Sequence, residues 1–460
     1  MSVELARPSV EESSVDLIYG LHDRPPVQET LLVALQHVLA VFVGIVTPPL
    51  IVAGALKLDA ADTAYLVSMS LFVSGAATML QTSRIGPVGS GLLSIQGTSF
   101  TFIAPIISTA GTLVARGSSA QQALATVFGL CLAGAFVVML ASRFIRLASS
   151  AITPIVTGTV VTLIGLTLLQ VAAVNVGGGF GAQADGSFGS FGSLDNLGLA
   201  ALVVVVILVL NSSGSRHLRM LSIVLGLAAG YCAALALGRI DLASLRTASL
   251  LAVPKPFRYG MGFDLTAFVP FVFMYIITVM ESIGDLTATS ALTAQPISGP
   301  VYFQRLQGGL LADGINSAVG ASLNSFPSTT FAQNNGVIQL TGVGSRHVGV
   351  FIGGILIVLG LVPIVGVLVQ ALPAAALGGA TLIMFGMVAA SGIRILARVA
   401  MNRRNSIILA ISLGLGLGVT FVPEILQALP ALLRSTLSSG IAIGGLSALL
   451  LNIALPGERR

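Results

Sequence analysis

The sequence reads PSTTF at Pro327–Phe331 and QGTSF at Gln96–Phe100, two short polar stretches that each interrupt an apolar region. Their first residues, 96 and 327, are 231 positions apart in a chain of 460, which is close to half its length. Similar interruptions at matching positions of two halves are typical of transporters built from an internal repeat. Irregular backbone cannot face lipid, so we expect both stretches to line a cavity enclosed by protein. Chance is the alternative explanation, because Ser, Thr and Gly also let membrane helices pack closely.

The composition indicates an integral membrane protein. Hydrophobic residues make up 55% of the chain and charged residues 8%, and the mean hydropathy is +0.98, whereas a soluble domain carries about 25% charged residues. Disordered, collagenous and nucleic-acid-binding classes are therefore excluded. The net charge of +5 is better explained by membrane orientation than by binding to nucleic acid. Cys131 and Cys232 both lie in apolar runs, which argues against a disulfide framework or a cysteine metal site.

Apolar runs long enough to span a bilayer predict an all-α polytopic fold of about fourteen segments. Seven segments per half is an odd number, so the second half is expected to be inverted relative to the first. Three segments, 95–113, 309–323 and 327–342, are too short or too rich in Gly, Ser and Asn to be ordinary spans. The predicted segments are 31–55, 62–81, 95–113, 120–141, 150–172, 197–212, 220–238, 264–286, 309–323, 327–342, 347–370, 373–391, 405–422 and 436–455.

The distribution of Lys and Arg predicts a multi-pass protein of the cell membrane with both termini in the cytoplasm. With that orientation, 15 of the 22 cationic residues fall on the cytoplasmic side and 7 on the outer side, in line with the positive-inside rule. The stretch 239–258 is an exception, because it would place four cations outside. Residues 1–30 lack the apolar core of a removable signal peptide.

Few ionisable residues fall inside the predicted spans. Glu281 and Asp285 are four residues apart in one span and therefore share a helix face. Asp313 lies in the ninth segment and His37 in the first. A charge at the bilayer centre costs roughly 3 kcal/mol or more, so such residues usually face a cavity and serve a function. The alternative for each is a structural hydrogen bond in the protein interior.

The richest polar run follows the second interruption, where Gln333, Asn334 and Asn335 stand side by side. Amides supply donors and acceptors at one point, which a planar heterocycle with alternating N–H and C=O groups would require. Glu281 can accept two N–H bonds from the edge of such a ring. Phe100 and Phe331 can stack on its faces. Hydrogen bonding between helices is the alternative for the amides, and ordinary packing is the alternative for the aromatic rings.

These motifs resemble the nucleobase–ascorbate transporters, also called nucleobase:cation symporters. The likeness covers the chain from about residue 15 to its C-terminus, and two stretches are most similar to bacterial xanthine and uric acid permeases. The signature ends in Gly342 where other members carry Arg or Lys, which leaves the particular purine open. The resembling motifs are QH at 36–37, QGTSF at 96–100, ESIGD at 281–285 and QNNG at 333–336 with Thr341-Gly342, and the two permease-like stretches are LIYGLHDRPP at 17–26 and GPVGSG at 86–91.

The resemblance implies two inverted sevens arranged as a core domain and a gate domain. It places an N-terminal cytoplasmic segment at 1–30, the core domain at 31–141 (segments 1–4) and 259–370 (segments 8–11), and the gate domain at 142–258 (segments 5–7) and 371–460 (segments 12–14). It also implies a homodimer and proton-coupled purine uptake, without a cofactor. By resemblance, the substrate-binding residues are Glu281, Gln333, Phe331, Ala332, Phe100, Ser99 and Asn334, and the proton-coupling or structural residues are Asp285, Asp313 and His37.

Three other functions are weighed against uptake of xanthine or uric acid. A uracil permease of the same family is disfavoured because such members carry Glu where this chain has Gln333. An anion exchanger or channel on the same fold would need a cation at the midplane in place of Glu281. An intramembrane enzyme is disfavoured because the sequence has no metal-ligand spacing and no nucleophile motif.

Overall fold

The computed structural model describes residues 17–145, 152–179, 191–240, 252–429, 437 and 439–455. The predicted termini fall largely on residues 1–16 and 456–460, which lie outside the described residues. The elements are α1 (Val27–Ala55), α2 (Ala60–Ser83), β1 (Gln96–Thr98), α3 (Ile103–Ala115), α4 (Ala120–Arg143), α5 (Pro154–Gly177), α6 (Leu194–Asn211), α7 (Arg216–Ala236), α8 (Leu265–Leu292), α9 (Gly299–Ser322), β2 (Ser328–Thr330), α10 (Gln333–Thr341), α11 (Arg346–Leu361), α12 (Pro363–Gln370), α13 (Ala374–Leu396), α14 (Arg403–Phe421) and α15 (Gly440–Ala454).

The two interruptions form a pair of short strands inside the protein. β1 and β2 are antiparallel, with Gly97 opposite Thr329 at the centre of the register. A 3-10 turn, Phe100–Phe102, joins β1 to α3. Neighbouring helices bind some of the remaining polar groups: the Gln96 N–H donates to Thr78 Oγ1 (3.0 Å) and Thr98 Oγ1 donates to the carbonyl of Ile45 (2.6 Å). The prediction of interrupted third and tenth segments is confirmed.

Long apolar helices account for most of the predicted spans. Within the described ranges, eight helices are long and apolar enough to cross a membrane, and four shorter apolar helices accompany them. The eleventh predicted segment, 347–370, is divided into α11 and α12 at Pro363, because proline cannot donate the backbone hydrogen bond that would continue the helix.

The ninth predicted segment, 309–323, is wrong in its extent. The structure has a continuous helix of 24 residues there, α9, which begins at Gly299. Its first half contains Gln304, Arg305 and Gln307, so its hydropathy is low. A polar helix is tolerated at this position because α9 packs between α2, α4 and α8 and its glycines admit neighbouring backbone, as where Gly308 meets the carbonyl of Gly89.

Glycines bring the helices of the fifth and twelfth segments into close contact. Pro154 is the first residue of α5, and Pro373 is the N-cap residue of α13, so each helix begins at a proline to within one position. Along this pair, a Cβ at Gly165 would collide with the backbone of Ala389 on α13, and one at Gly392 would collide with Thr162 on α5. The pair therefore has the close approach of backbones that small residues permit in membranes.

Gly165→Val is expected to lower the thermal unfolding midpoint by several degrees, because the added side chain must push α5 and α13 apart. The measurement is thermal unfolding of the purified chain in detergent. The matched control is Gly386→Val on α13, where a Cβ would meet nothing within 4 Å. Equal midpoints for the two variants would contradict close packing of α5 against α13.

The connection before α8 is fixed to the ends of α2 and α4. Arg258 forms an ion pair with Asp62 (2.8 Å), and the same carboxylate accepts hydrogen bonds from Tyr259 Oη (2.9 Å) and Gln121 Nε2 (3.1 Å). Burial, together with the hydrogen bond to Asp62, raises the pKa of Tyr259 above its ordinary value. Arg239 in the same connection pairs with Asp195 at 2.7 Å.

Two of the four cations in the stretch 239–258, Arg239 and Arg258, form ion pairs with carboxylates. Arg246 lies outside the described residues.

Candidate functional site

One face of α8 contacts the interrupted segments of both halves. Its residues 281, 285 and 289 are spaced by four and so lie above one another on the helix. Glu281 Oε2 accepts from Thr101 Oγ1 at 3.4 Å, and Asp285 Oδ2 accepts from Thr330 Oγ1 at 3.0 Å. This face, which we call the α8 ladder (Glu281, Asp285 and Thr289), therefore follows the strand pair from the first half of the chain to the second.

The third step of the α8 ladder fixes the start of α10. Thr289 Oγ1 donates to Asn335 Oδ1 at 2.7 Å, so the first turn of α10 lies beside α8. Glu281 and Asp285 are both half-buried, and each is held by a hydroxyl group of an interrupted segment.

Two of the three adjacent amides at the start of α10 have structural partners. Asn334 Nδ2 donates to the carbonyl of Leu93 at 2.6 Å, and Asn335 is held by Thr289. Gln333 is half-buried, and its side chain makes no hydrogen bond within the described part of the chain. Of the three, Gln333 is the one whose side chain has no hydrogen bond among the described residues, while Asn334 Oδ1 is buried without a partner there.

The helix ends add backbone donors to the same region. Ala332 caps α10 and Gln333 is its first residue, while Phe100 begins the 3-10 turn ahead of α3. The first N–H groups of a helix have no acceptor within the helix, and its N-terminal end carries partial positive charge. In α10, however, the N–H groups of Asn334 and Asn335 already donate to the carbonyls of Phe331 (3.1 Å) and Ala332 (3.0 Å), so a ligand would have to use donors ahead of them.

Phe100 and Phe331 lie together beside the strand pair. Their rings are nearly parallel, with centroids 6.1 Å apart and planes inclined by 17°. The Phe100 ring also packs in a T-shaped arrangement with that of Phe385 on α13, and these two centroids are 5.2 Å apart. The Phe331 ring fits against two glycines: a Cβ would lie 2.5 Å from its Cζ at Gly97 and 2.7 Å from its Cε2 at Gly44. Phe331 can occupy this position because both neighbours lack a side chain.

Asp313 lies in a separate buried network. It is 1% exposed and accepts hydrogen bonds from Ser282 Oγ (2.5 Å) and Gln81 Nε2 (3.4 Å). Ser282 is also 3.4 Å from Thr329 Oγ1 on β2. Asp313 therefore joins α2, α8 and α9 to the strand pair and sits behind the α8 ladder.

Ser99 and His37 are buried without side-chain partners. Ser99 donates its backbone N–H to the carbonyl of Pro327 (2.8 Å), but its hydroxyl has no hydrogen-bond partner. His37 is fully buried in α1, and neither ring nitrogen has a partner among the described residues. The structure thus brings His37 into hydrogen-bond contact with neither Asp285 nor Asp313.

Several residues of this region were missed at the level of sequence. Thr101, Thr330 and Ser282 donate hydrogen bonds to the three carboxylates, and their only signal in the sequence is a hydroxyl group within or next to a quoted motif. Gly44 and Phe385 lie in apolar helices and carry no signal at all. In the described residues no cluster of His, Cys, Asp and Glu could hold a metal ion, and Cys131 and Cys232 are free thiols.

Comparison with known sequences places the chain among permeases. A family model described as a permease family matches residues 28–425. The chain is 47% identical over 458 residues to a protein named xanthine permease XanP of Escherichia coli, covering 99% of this chain and 98% of that protein. It is 45% identical over 451 residues to xanthine permease XanQ of the same species, covering 98% and 96%. These names describe transporters and not enzymes.

Comparison with solved structures supports the same architecture. The transmembrane domain of a cyanobacterial bicarbonate transporter, BicA, aligns with a TM-score of 0.61 at 15% identity, covering 91% of this chain and 99% of that one. The murine anion transporter Slc26a9 aligns with a TM-score of 0.60 at 12% identity, covering 94% and 69%. At such identities the likeness shows a common inverted-repeat fold and does not extend to the ligand.

Proposed function

This chain belongs to the permease family of nucleobase–ascorbate transporters, and we propose that it takes up a purine, xanthine or uric acid, by proton-coupled alternating access. One observation carries the proposal: the α8 ladder holds a half-buried carboxylate, Glu281, against the interrupted segments, where the side chain of Gln333 makes no hydrogen bond to any described residue. The names of the relatives support a purine as the substrate class.

A purine matches the donors and acceptors of this region. Glu281 accepts two N–H bonds from one edge of the ring, and Gln333 offers a donor and an acceptor in the plane of its amide. Phe331 stacks on the ring, and the backbone at Phe100 and Ala332 adds hydrogen bonds to ring oxygens.

Two further residues complete the proposed site. Asn334 shapes it by holding the start of α10 to Leu93. The unpartnered hydroxyl of Ser99 is available to discriminate between purines.

The transport cycle is proposed to move a core domain against a gate domain. Packing supports this division: α2 packs against α11 and α4 against α9 within the proposed core, while α5 packs against α13 and α14 against α15 within the proposed gate. The contact between Phe100 of the proposed core and Phe385 of the proposed gate connects the two domains next to the proposed substrate site. This contact is therefore broken or re-formed as the domains move.

Coupling to protons follows from the cost of a charge in the closed site. A carboxylate there is expensive unless it is protonated or paired, so the loaded and empty carriers differ in how many protons they hold. Asp285 and Asp313 are the acids nearest to Glu281 along the network, and His37 is a buried group without a partner. We assign these three to proton coupling or to its structural support.

Asp285→Asn is expected to reduce accumulation of xanthine driven by an imposed pH gradient at least tenfold, because the variant cannot gain and lose this proton. Exchange of labelled for unlabelled xanthine should persist, since exchange never requires the empty carrier to return. Both rates are measured in proteoliposomes, with Asp195→Asn, an exposed acid, as control. Gradient-driven accumulation equal to that of the parent chain would remove Asp285 from the coupling assignment.

The proposed setting is the inner membrane, with a homodimer and both termini in the cytoplasm. The distribution of cations supports the orientation. The gate helices α6 and α14 leave most of their apolar surface exposed, which supports contact with lipid or a second copy.

Competition for uptake of labelled xanthine in cells without their own permeases tests the proposed substrate. Uric acid and hypoxanthine should be compared with uracil at equal concentrations. Competition by uracil alone would favour the uracil permease, and an ohmic anion current without saturable uptake would favour an anion channel. Failure of both xanthine and uric acid to enter would overturn the proposal.

A further inference from the structure

Three arginine side chains meet at the loop that follows α2. Arg305 Nη1 lies 3.4 Å from the carbonyl of Ser90 and 3.5 Å from that of Gly91. A Cβ built on Gly91 would lie 3.3 Å from Arg84 Cδ and 3.7 Å from Arg346 Nη1. Arg84, Arg305 and Arg346, which we call the arginine cluster, thus come from the end of α2, the first half of α9 and the start of α11.

The arginine cluster has no acidic counter-ion in the described part of the chain. The ion pairs found there are Arg239–Asp195 and Arg258–Asp62, so no described carboxylate lies within 4.0 Å of the cluster. Like charges brought together in this way repel one another. A structural role alone would favour a carboxylate among them.

The buried member of the cluster also has an unpartnered donor. Arg305 is 7% exposed, and its Nη2 donates to Gln295 Oε1 at 2.8 Å. Its Nε–H is buried and has no hydrogen-bond partner among the residues that the structure describes, which costs free energy unless an acceptor is supplied. Arg84 is exposed and Arg346 half-buried, so an acceptor from solvent has access to the cluster.

The neighbouring helix start adds positive potential at the same place. Arg346 is the first residue of α11, where the helix carries partial positive charge, although its first N–H groups are already engaged: that of Arg346 donates to the carbonyl of Leu21 (3.1 Å) and that of His347 to Ser345 Oγ (3.2 Å). The nearby Asp23 is engaged elsewhere, since its Oδ2 accepts from the Gly20 N–H (2.8 Å) and its backbone carbonyl accepts from Ser345 Oγ. The C-terminal end of α2 carries partial negative charge. It lies next to Arg84 and not next to Arg305 or Arg346, so it offsets the charge of only one of the three arginines.

We propose that the arginine cluster is a binding site for a phosphate-bearing anion, either the headgroup of an anionic lipid or a free phosphate ester. Guanidinium groups bind phosphate oxygens in pairs of parallel hydrogen bonds, and three of them around one point match a tetrahedral oxyanion. The site is distinct from that proposed for the purine, because none of its residues contacts the α8 ladder. An occupant would tie α2, α9 and α11 together and stabilise this part of the chain.

Titration calorimetry of the full-length purified chain with sodium pyrophosphate, at fixed ionic strength, tests for a free phosphate. We expect saturable binding to one site, with a dissociation constant raised at least tenfold in Arg84→Gln, Arg305→Gln and Arg346→Gln. The control is Arg116→Gln at the exposed end of α3, which should bind as the parent does. Arg84 is exposed, so its variant tests the site even if Arg305→Gln fails to fold.

Mixed micelles containing phosphatidylglycerol or phosphatidylcholine test for a lipid source. A rise in the thermal midpoint with phosphatidylglycerol alone, lost in Arg84→Gln and kept in Arg116→Gln, identifies a lipid headgroup as the occupant. Binding of neither probe, or binding that the three cluster variants leave unchanged, would overturn the proposal. So would an affinity at least tenfold higher after Glu4, Glu11, Glu12 and Asp16 are replaced by their amides, because the chain's own acidic segment would then be the occupant.

Discussion

Glu281→Gln is expected to reduce xanthine uptake about 100-fold or more while the chain still reaches the membrane. The amide nitrogen of the new side chain would face an N–H group of the ring, so an acceptor is replaced by a donor. Loss of one charged hydrogen bond together with an unpaired donor amounts to about 3 kcal/mol, and each 1.4 kcal/mol is a factor of ten. The amide oxygen of the new side chain can still accept the hydrogen bond that Thr101 donates to Glu281, so the fold should persist.

Uptake of labelled xanthine at several concentrations, normalised to the amount of protein in the membrane, checks this expectation. Glu424→Gln is the matched control, because Glu424 is an exposed acid in the short 3-10 turn after α14. Unchanged uptake in Glu281→Gln at normal expression would remove the central assignment of the binding site. A parallel loss in Glu424→Gln would point to a general effect of removing an acid.

Gly97→Ala is expected to reduce uptake at least about tenfold although it adds a single methyl group. A Cβ at Gly97 would lie 2.5 Å from Cζ of Phe331 and 2.8 Å from its Cε1, so the ring must move. A Cβ at Gly44 would lie 2.7 Å from Cε2 of the same ring, and overpacking of a confined group costs about 1–3 kcal/mol. The displaced ring would enter the space where the purine is proposed to stack.

Uptake kinetics of Gly97→Ala are to be compared with those of Gly111→Ala, which lies in the same segment and where a Cβ would meet nothing within 4 Å. If the ring position is the cause, Phe331→Leu in the Gly97→Ala background should recover xanthine binding in part, since the smaller side chain relieves the collision. Full activity of Gly97→Ala would show that the Phe331 ring is free to move without consequence for transport.

The two variants separate the chemistry of the site from its shape. Glu281→Gln conserves volume and changes hydrogen bonding, whereas Gly97→Ala changes volume and leaves every polar group in place. A site that recognises a flat ring by both its edge and its face requires both effects. A site that depends on charge alone would respond to the first variant only.

The sequence by itself determined that this is a polytopic membrane protein with an inverted repeat. Hydropathy is a property summed over about twenty residues, so it identifies most spans without knowledge of their neighbours. The matching interruptions at Gln96–Phe100 and Pro327–Phe331 were readable because irregular backbone in a membrane is rare. The same reasoning identified Glu281 and Asp285 as residues sharing a helix face, since helical spacing is a local property.

Only the tertiary structure decided which polar residues have partners and which are left free. Asn334 and Asn335 look like Gln333 in the sequence, but they are held by Leu93 and Thr289, which are 241 and 46 residues away. The sequence predicts too short a segment for the polar helix α9, because its burial depends on the helices around it. Such contacts arise between segments distant in the chain, and no local pattern of residues records them.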